Sequence, residues 1–218
     1  MHTSTTRRTF LGLAAVSAAP LILPPRLLGQ GAPSARINVG MIGCGRQAMG
    51  CNLTPFLADP RTQVTAVCDV DAWRLAGAKA FVENYYGGRT PSGTWKGCTA
   101  YHDFRELLAN KDIDAVMIST PDHWHAAMAI LAARAGKDVC CEKPLNLSVR
   151  EGRLVADAMK RHGRVFRTDS EFRSQSTYHR ACELVRNGRI GALRTIRTGC
   201  PVESFKDESA PAMPVPEG

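Results

Sequence analysis

Three short segments of this chain carry residue types that can hold a dinucleotide and act beside it. Gly43-Cys44-Gly45-Arg46-Gln47-Ala48 directly follows the apolar run Ile37–Ile42. A GxGxxA hexad between a strand and a helix suits a pyrophosphate. Gly43 permits the tight turn, Gly45 puts no side chain in the anion's way, and Ala48 lets helix and strand pack closely. The amides of Arg46 and Gln47 then fall at the helix N-terminus, where N–H donors and the helix dipole favour phosphate. Asp69 ends a second apolar run. A carboxylate there can accept the hydroxyls of an adenosine ribose and repels a 2′-phosphate. No arginine adjoins it in sequence, Arg74 being the nearest, so NAD is favoured over NADP. Asp71 competes for the same role and has a plain alternative as the N-cap of the next helix. Glu142-Lys143-Pro144 ends a later apolar run. A lysine at the mouth of a sheet can hydrogen-bond a cofactor ribose and a substrate hydroxyl, and partial desolvation would suit it to proton transfer. Its plain alternative is a surface lysine ion-paired with Glu142.

The elements that must position these residues alternate in type. Expected strands are Ile37–Ile42, Gln63–Cys68, Asp114–Ser119, Asp138–Cys141 and Arg164–Arg167. Expected helices are Arg46–Leu57, Ala72–Tyr85, Asp103–Leu108, His123–Ala135 and Ser148–Arg161, the last with a capping box of Ser148 and Glu151. Gly87–Gly97 is turn-rich and marks a surface loop. Strands that are apolar throughout, separated by helices, imply a doubly wound parallel sheet covered on both faces, an α/β Rossmann architecture. Thr120-Pro121-Asp122 then falls at the carboxyl edge of a strand, where ligands bind in such sheets. Pro121 and Asp122 serve equally well as a helix start. His123 and His125 flank Trp124 and can either pack that helix or face the ligand. After a helix at Thr177–Arg186 the pattern changes. Leu193–Thr198 alternates in polarity and suggests a half-exposed strand of a second sheet.

Composition narrows the class. Hydrophobic content of 44% and charged content of 22% are those of a globular protein rather than a disordered one. The net charge of +8 comes from scattered basic residues with few aromatics among them, which argues against nucleic acid as a partner. None of the eight cysteines forms a Cys-x-x-Cys pair, and the six histidines show no zinc spacing beside them, so no metal is expected. Thr6-Arg7-Arg8-Thr9-Phe10-Leu11 is a twin-arginine pattern. The apolar stretch Leu11 to Leu23 behind it is too short and too broken by proline for a spanning helix. Residues 1–35 are therefore expected to be a twin-arginine signal and linker. The export machinery would be a partner, and the protein periplasmic or otherwise extracytoplasmic.

Together these residues resemble the Gfo/Idh/MocA oxidoreductase family, from about Arg36 to Thr198. Val39-Gly40-Met41-Ile42-Gly43-Cys44-Gly45, Val67-Cys68-Asp69, Thr120-Pro121-Asp122 with His125, and Gly136-Lys137-Asp138-Val139 leading to Glu142-Lys143-Pro144 follow the family order. So does Glu183-Leu184-Val185-Arg186-Asn187-Gly188. The resemblance implies a dinucleotide-binding domain over 36–168 and the beginning of an open-sheet α+β substrate domain over 169–218. It implies NAD(P)-dependent dehydrogenation of a sugar, polyol or related carbohydrate by a protein that is homo-oligomeric at full length. Lys143 would be the active-site lysine, Glu142 would lie near the nicotinamide ribose, and Arg173 would line the substrate side. Family members continue well beyond 218 residues, so the chain is expected to be the nucleotide-binding half of such an enzyme. Two alternatives stand beside that: an NAD-dependent glycosidase of the same family, and a non-catalytic nucleotide-binding fragment.

Overall fold

In the computed structural model, residues 35–199 are described. The described residues from Ile37 onward belong to one compact unit, which holds the sheet, the helices named below and the cavity. Six strands form one sheet: β1 (Ile37–Ile42), β2 (Thr62–Cys68), β3 (Thr99–Tyr101), β4 (Ala115–Ile118), β5 (Asp138–Glu142) and β6 (Phe166–Asp169). Every pairing is parallel and the order is β3-β2-β1-β4-β5-β6. The helices are α1 (Leu53–Ala58), α2 (Ala72–Gly87), α3 (Phe104–Ala109), α4 (Asp122–Arg134), α5 (Val149–His162) and α6 (Ser176–Arg186). This is the doubly wound Rossmann order, with its switch point between β1 and β4.

Two apolar layers explain why the strands are hydrophobic throughout. Successive strand side chains point to opposite faces. Met41, Val64, Val67 and Met117 pack on one face with Leu53 and Leu57 of α1 and Leu75 and Val82 of α2. Ile42, Val116 and Ile118 pack on the other with α3, α4 and α5. Each fully buried side chain of this size stabilises the fold by roughly 1.5–3 kcal/mol. Alanines at 126, 129, 132 and 133 give α4 a thin inward face. The caps follow the sequence, save that the Glu151 carboxylate of the expected capping box reaches the amide of Leu147 and not that of Ser148. Ser148 Oγ accepts from Glu151 N at 3.2 Å, the Glu151 carboxylate accepts from Leu147 N at 2.8 Å, and Gly163 ends α5 at φ +62°. The buried Lys137 ammonium donates to Asn110 O at 2.6 Å and Ile113 O at 2.7 Å, tying the turn after α4 to the approach to β4.

Three expectations need correction. The helix expected over Arg46–Leu57 contains a π-helical turn, Ala48–Asn52, closed by Leu53 N donating to Ala48 O. No strand forms at Leu193–Thr198. A strand needs a neighbour to pair its backbone, and among the described residues no second sheet offers one. The edge strand β3 went unread because three residues are too few to show a period. The leader and the final proline-rich segment lie outside the described residues. Among those described, no helix is long and apolar enough to cross a membrane.

The seven cysteines among the described residues are free. Burial is the largest cause pushing the thiols of Cys44, Cys68, Cys98 and Cys141 up to about 12. Thiolate is the nucleophile, so these four should resist alkylation of the native protein at about pH 8. Exposed Cys51 and Cys182 should be labelled first. Peptide mapping after iodoacetamide checks this; early labelling of Cys44 or Cys141 would contradict the burial.

Candidate dinucleotide site

The crossovers leaving β1 and β4 almost touch. Gly43 sits at φ +89°, a region that favours glycine, and a Cβ there would fall 2.7 Å from Ser119 O. Gly43 N donates to Cys68 O at 2.8 Å and Ser119 N to Ile42 O at 2.8 Å, extending both ladders into the turn. A Cβ on Gly45 would meet nothing within 4 Å but the Arg74 guanidinium, at 3.6 Å. Gly43 is thus required by the fold, whereas Gly45 keeps space open above it. That space belongs to a cavity of about 670 Å³ at the carboxyl edge of β1, β2 and β4.

The cavity gathers seven of the residues expected at the site: Gly43, Gly45, Arg46, Gln47, Asp69, Thr120 and Pro121. Asp69 is half-buried and already engaged. Its Oδ2 accepts from Cys44 N at 2.7 Å and its Oδ1 from Asp71 N at 2.9 Å. One carboxylate therefore fastens the glycine turn and the start of α2, and keeps acceptor capacity on each oxygen. Asp71 takes its plain role. It caps α2, accepting from Trp73 N at 2.9 Å and Arg74 N at 3.1 Å. Arg74, not adjacent to Asp69 in sequence, is carried by the first turn of α2 into the cavity wall, with Nε 3.6 Å from Asp71 Oδ2. The far wall holds Phe104 and Trp124, edge to face at 6.4 Å between ring centroids, with Arg105 over Phe104. Sequence reasoning missed this aromatic wall, because the two rings lie on α3 and α4 and only the fold brings them together. An apolar, flat-sided recess beside an acceptor of ribose hydroxyls suits a purine base. The open cradle at Gly45, the carboxylate beside it and this wall fit the adenosine diphosphate part of a dinucleotide.

The other expected residues lie outside the cavity wall. Asp122 is the exposed first residue of α4, so its reading as a helix start stands. His125 is 1% exposed. Its Nδ1 lies 2.6 Å from Pro144 O and its Nε2 2.8 Å from Thr120 O. A neutral ring donates to one of these carbonyls at a time, and neither nitrogen is left for a ligand. His125 thus ties the β4 turn to the β5 turn instead of contacting cofactor. Glu142 is 4% exposed at the end of β5. Its Oε1 accepts from Gln47 Nε2 at 2.9 Å and Asn52 Nδ2 at 2.8 Å, and its Oε2 from Lys143 N at 3.0 Å. Glu142 makes no ion pair among the described residues, so Lys143 is not its salt-bridge partner. Lys143 itself is exposed, and the desolvation expected of it is absent here. Its peptide bond to Pro144 is cis. Arg173 is exposed on a 3-10 turn, Glu171–Ser174, after β6. Among the described residues, no cluster of histidine, cysteine and carboxylate could hold a metal.

Fold and cavity together define a Rossmann domain of the dinucleotide-binding class. The chain belongs to the Gfo/Idh/MocA family: residues 37–170 match its model, described as an oxidoreductase family with an NAD-binding Rossmann fold. Among curated relatives, inositol 2-dehydrogenase 2 of Saccharopolyspora erythraea is 31% identical over 156 residues, 71% of this chain and 42% of that protein. A glycosyl hydrolase family 109 protein of Shewanella sp. (strain ANA-3) is 37% identical over 115 residues, 53% of this chain and 24% of that one. A solved 3-ketoreductase from Actinomadura kijaniata, in complex with NADP, superposes with a TM-score of 0.62 at 26% identity, covering 72% of this chain and 45% of its own. The chain thus spans less than half the length of these relatives.

The two glycines should separate by substitution. Gly43→Ala must displace backbone at Ser119 and is expected to destabilise the fold by about 1–3 kcal/mol in urea unfolding. Gly45→Val should change stability by less than about 1 kcal/mol. It should still weaken NAD(H) binding more than about tenfold, because its branches stand where a pyrophosphate would lie.

Proposed function

We propose that this chain is the nucleotide-binding part of an NAD(P)-dependent dehydrogenase acting on a sugar, polyol or related carbohydrate. The observation that carries this reading is the convergence of Asp69 with the Gly43–Gly45 turn on one cavity, with Glu142 and Lys143 at the carboxyl end of β5 in the same sheet. The bound dinucleotide supplies the hydride acceptor or donor. The chain's own residues do the rest. The turn at Gly43–Gly45 receives the pyrophosphate, Asp69 accepts ribose hydroxyls, and Phe104 and Trp124 flank the base. Lys143 orients the substrate hydroxyl and holds or releases its proton at Nζ. Residues from 169 onward open the substrate domain, and Arg173 serves its substrate side.

NAD is the preferred form. The Asp69 carboxylate would face and repel a 2′-phosphate. The twin-arginine motif supports export of the folded protein to an extracytoplasmic compartment. A fusion of residues 1–35 to a reporter should be exported and should lose export when Arg7 and Arg8 become lysine. A second reading, an NAD-dependent glycosidase, is favoured by the 37% identity to the family 109 protein. Sugar release without net NADH accumulation would select it.

Titration of the purified chain with NADH and NADPH, followed by ligand fluorescence, tests the cofactor half. NADH should bind at least about tenfold more tightly, a difference of about 1.4 kcal/mol. Asp69→Ala should weaken NADH binding by at least that factor, since it removes a ribose acceptor and unfastens Cys44 N. Unchanged affinity in Asp69→Ala would overturn the assignment.

A further inference from the structure

Asn52 is a buried polar residue that the proposed chemistry does not yet use. It is 4% exposed and closes the π-helical turn that follows the glycine-rich segment. Its amide is fully engaged. Nδ2 donates to Glu142 Oε1 at 2.8 Å and to Ser119 Oγ at 3.1 Å, and Oδ1 accepts from Gln47 Nε2 at 3.3 Å. Gln47 Nε2 also reaches Glu142 Oε1 at 2.9 Å. The other carboxylate oxygen accepts from Lys143 N at 3.0 Å. One connected set of hydrogen bonds therefore runs from the turn after β1, past the end of β4, to the backbone of Lys143. Without its donors the Glu142 carboxylate would be buried and under-satisfied, and would rotate toward solvent or another donor. Lys143 N would then lose its acceptor, and the point where the lysine leaves the sheet would no longer be fixed.

We propose that Asn52 is a positioning residue. By holding the Glu142 carboxylate in place, it sets the direction in which Lys143 projects toward the nicotinamide end of the bound dinucleotide. This inference rests on the dinucleotide reading above and adds a residue to it. Asn52 lies outside the residues lining the cavity while its partners Gln47 and Ser119 line it, so an effect selective for the end of the ligand that Lys143 serves is what distinguishes positioning from general support. The π-turn places it there: π-bulges recur where a helix must present a particular side chain.

The test compares NADH with ADP, which lacks both the nicotinamide and the ribose that bears it, on the purified 218-residue chain. Asn52→Leu should weaken NADH binding about tenfold and leave ADP binding within about twofold. In a Lys143→Ala background the same substitution should weaken NADH little further, because the two residues act as one unit. Equal loss for both ligands would make Asn52 a general support of the fold and overturn the proposal. Full additivity with Lys143→Ala, or no change at all, would also overturn it while leaving the dinucleotide reading intact. Wild-type protein that binds neither ligand would overturn that reading, and this inference with it, before any variant is compared. If Asn52→Leu does not fold, Asn52→Asp keeps the size and replaces the donor with a carboxylate facing Glu142. It should show the same selective loss of NADH, and full NADH affinity in that variant would overturn the proposal.

Discussion

The approach of two backbone turns at Gly43 and Ser119 fixes everything around the cavity. β1 and β4 are hydrogen-bonded neighbours from Val39 to Ile42, yet their crossovers lead to helices on opposite faces of the sheet. At that divergence the chain must leave a crevice. The crevice is narrow at its floor because Gly43 has no Cβ, and a side chain there would meet Ser119 O at 2.7 Å. With the floor set, Asp69 reaches Cys44 N from β2, and Asn52 and Gln47 reach Glu142 from the helix side. The site lies where the crossovers from β1 and β4 part toward opposite faces of one continuous sheet.

The buried polar groups around this crevice are satisfied with little slack, which gives them positional consequences. Asp69, Asn52, His125 and Glu142 each join two segments distant in sequence. A buried amide or carboxylate left without partners costs about 1–3 kcal/mol, comparable with one well-buried apolar side chain. Such groups do little for net stability but specify one arrangement of the turns. The neighbouring cysteines complement them. Cys44 and Cys68 fill the volume beneath the turn as small hydrophobes, with thiols pushed up to about 12 chiefly by burial.

The fold was legible in the sequence because a parallel sheet covered on both faces writes each strand as an apolar run and each crossover as a helix. Gly43, Gly45 and Asp69 were legible because backbone geometry and charge tie those residue types to their positions. Other parts were not legible, for identifiable reasons. Arg74 joins the cavity only through the pitch of α2. Phe104 and Trp124 meet only through tertiary packing. Asn52 sits beside Leu53 on a helix whose register the π-turn shifts, so a regular period misassigns its face. Its one signal was a polar residue on the inward side of an otherwise apolar helix. His125 looked like chemistry, but both of its nitrogens face carbonyl oxygens.

The two ends of the site are unequally built, and this bears on where binding ends and chemistry begins. At the adenosine end, walls from β1, β2, α3 and α4 enclose the cavity. At the other end Glu142 is buried and held by three N–H donors, while the next side chain, Lys143, stands in solvent. An exposed ammonium makes no preorganised contact with a reacting hydroxyl, and the electrostatic advantage of a closed site comes from excluding water. Among the described residues the sheet edge presents Lys143 without surrounding it. Leu193–Thr198, polar and apolar by turns, stays without strand structure because no second sheet among the described residues gives it a neighbour.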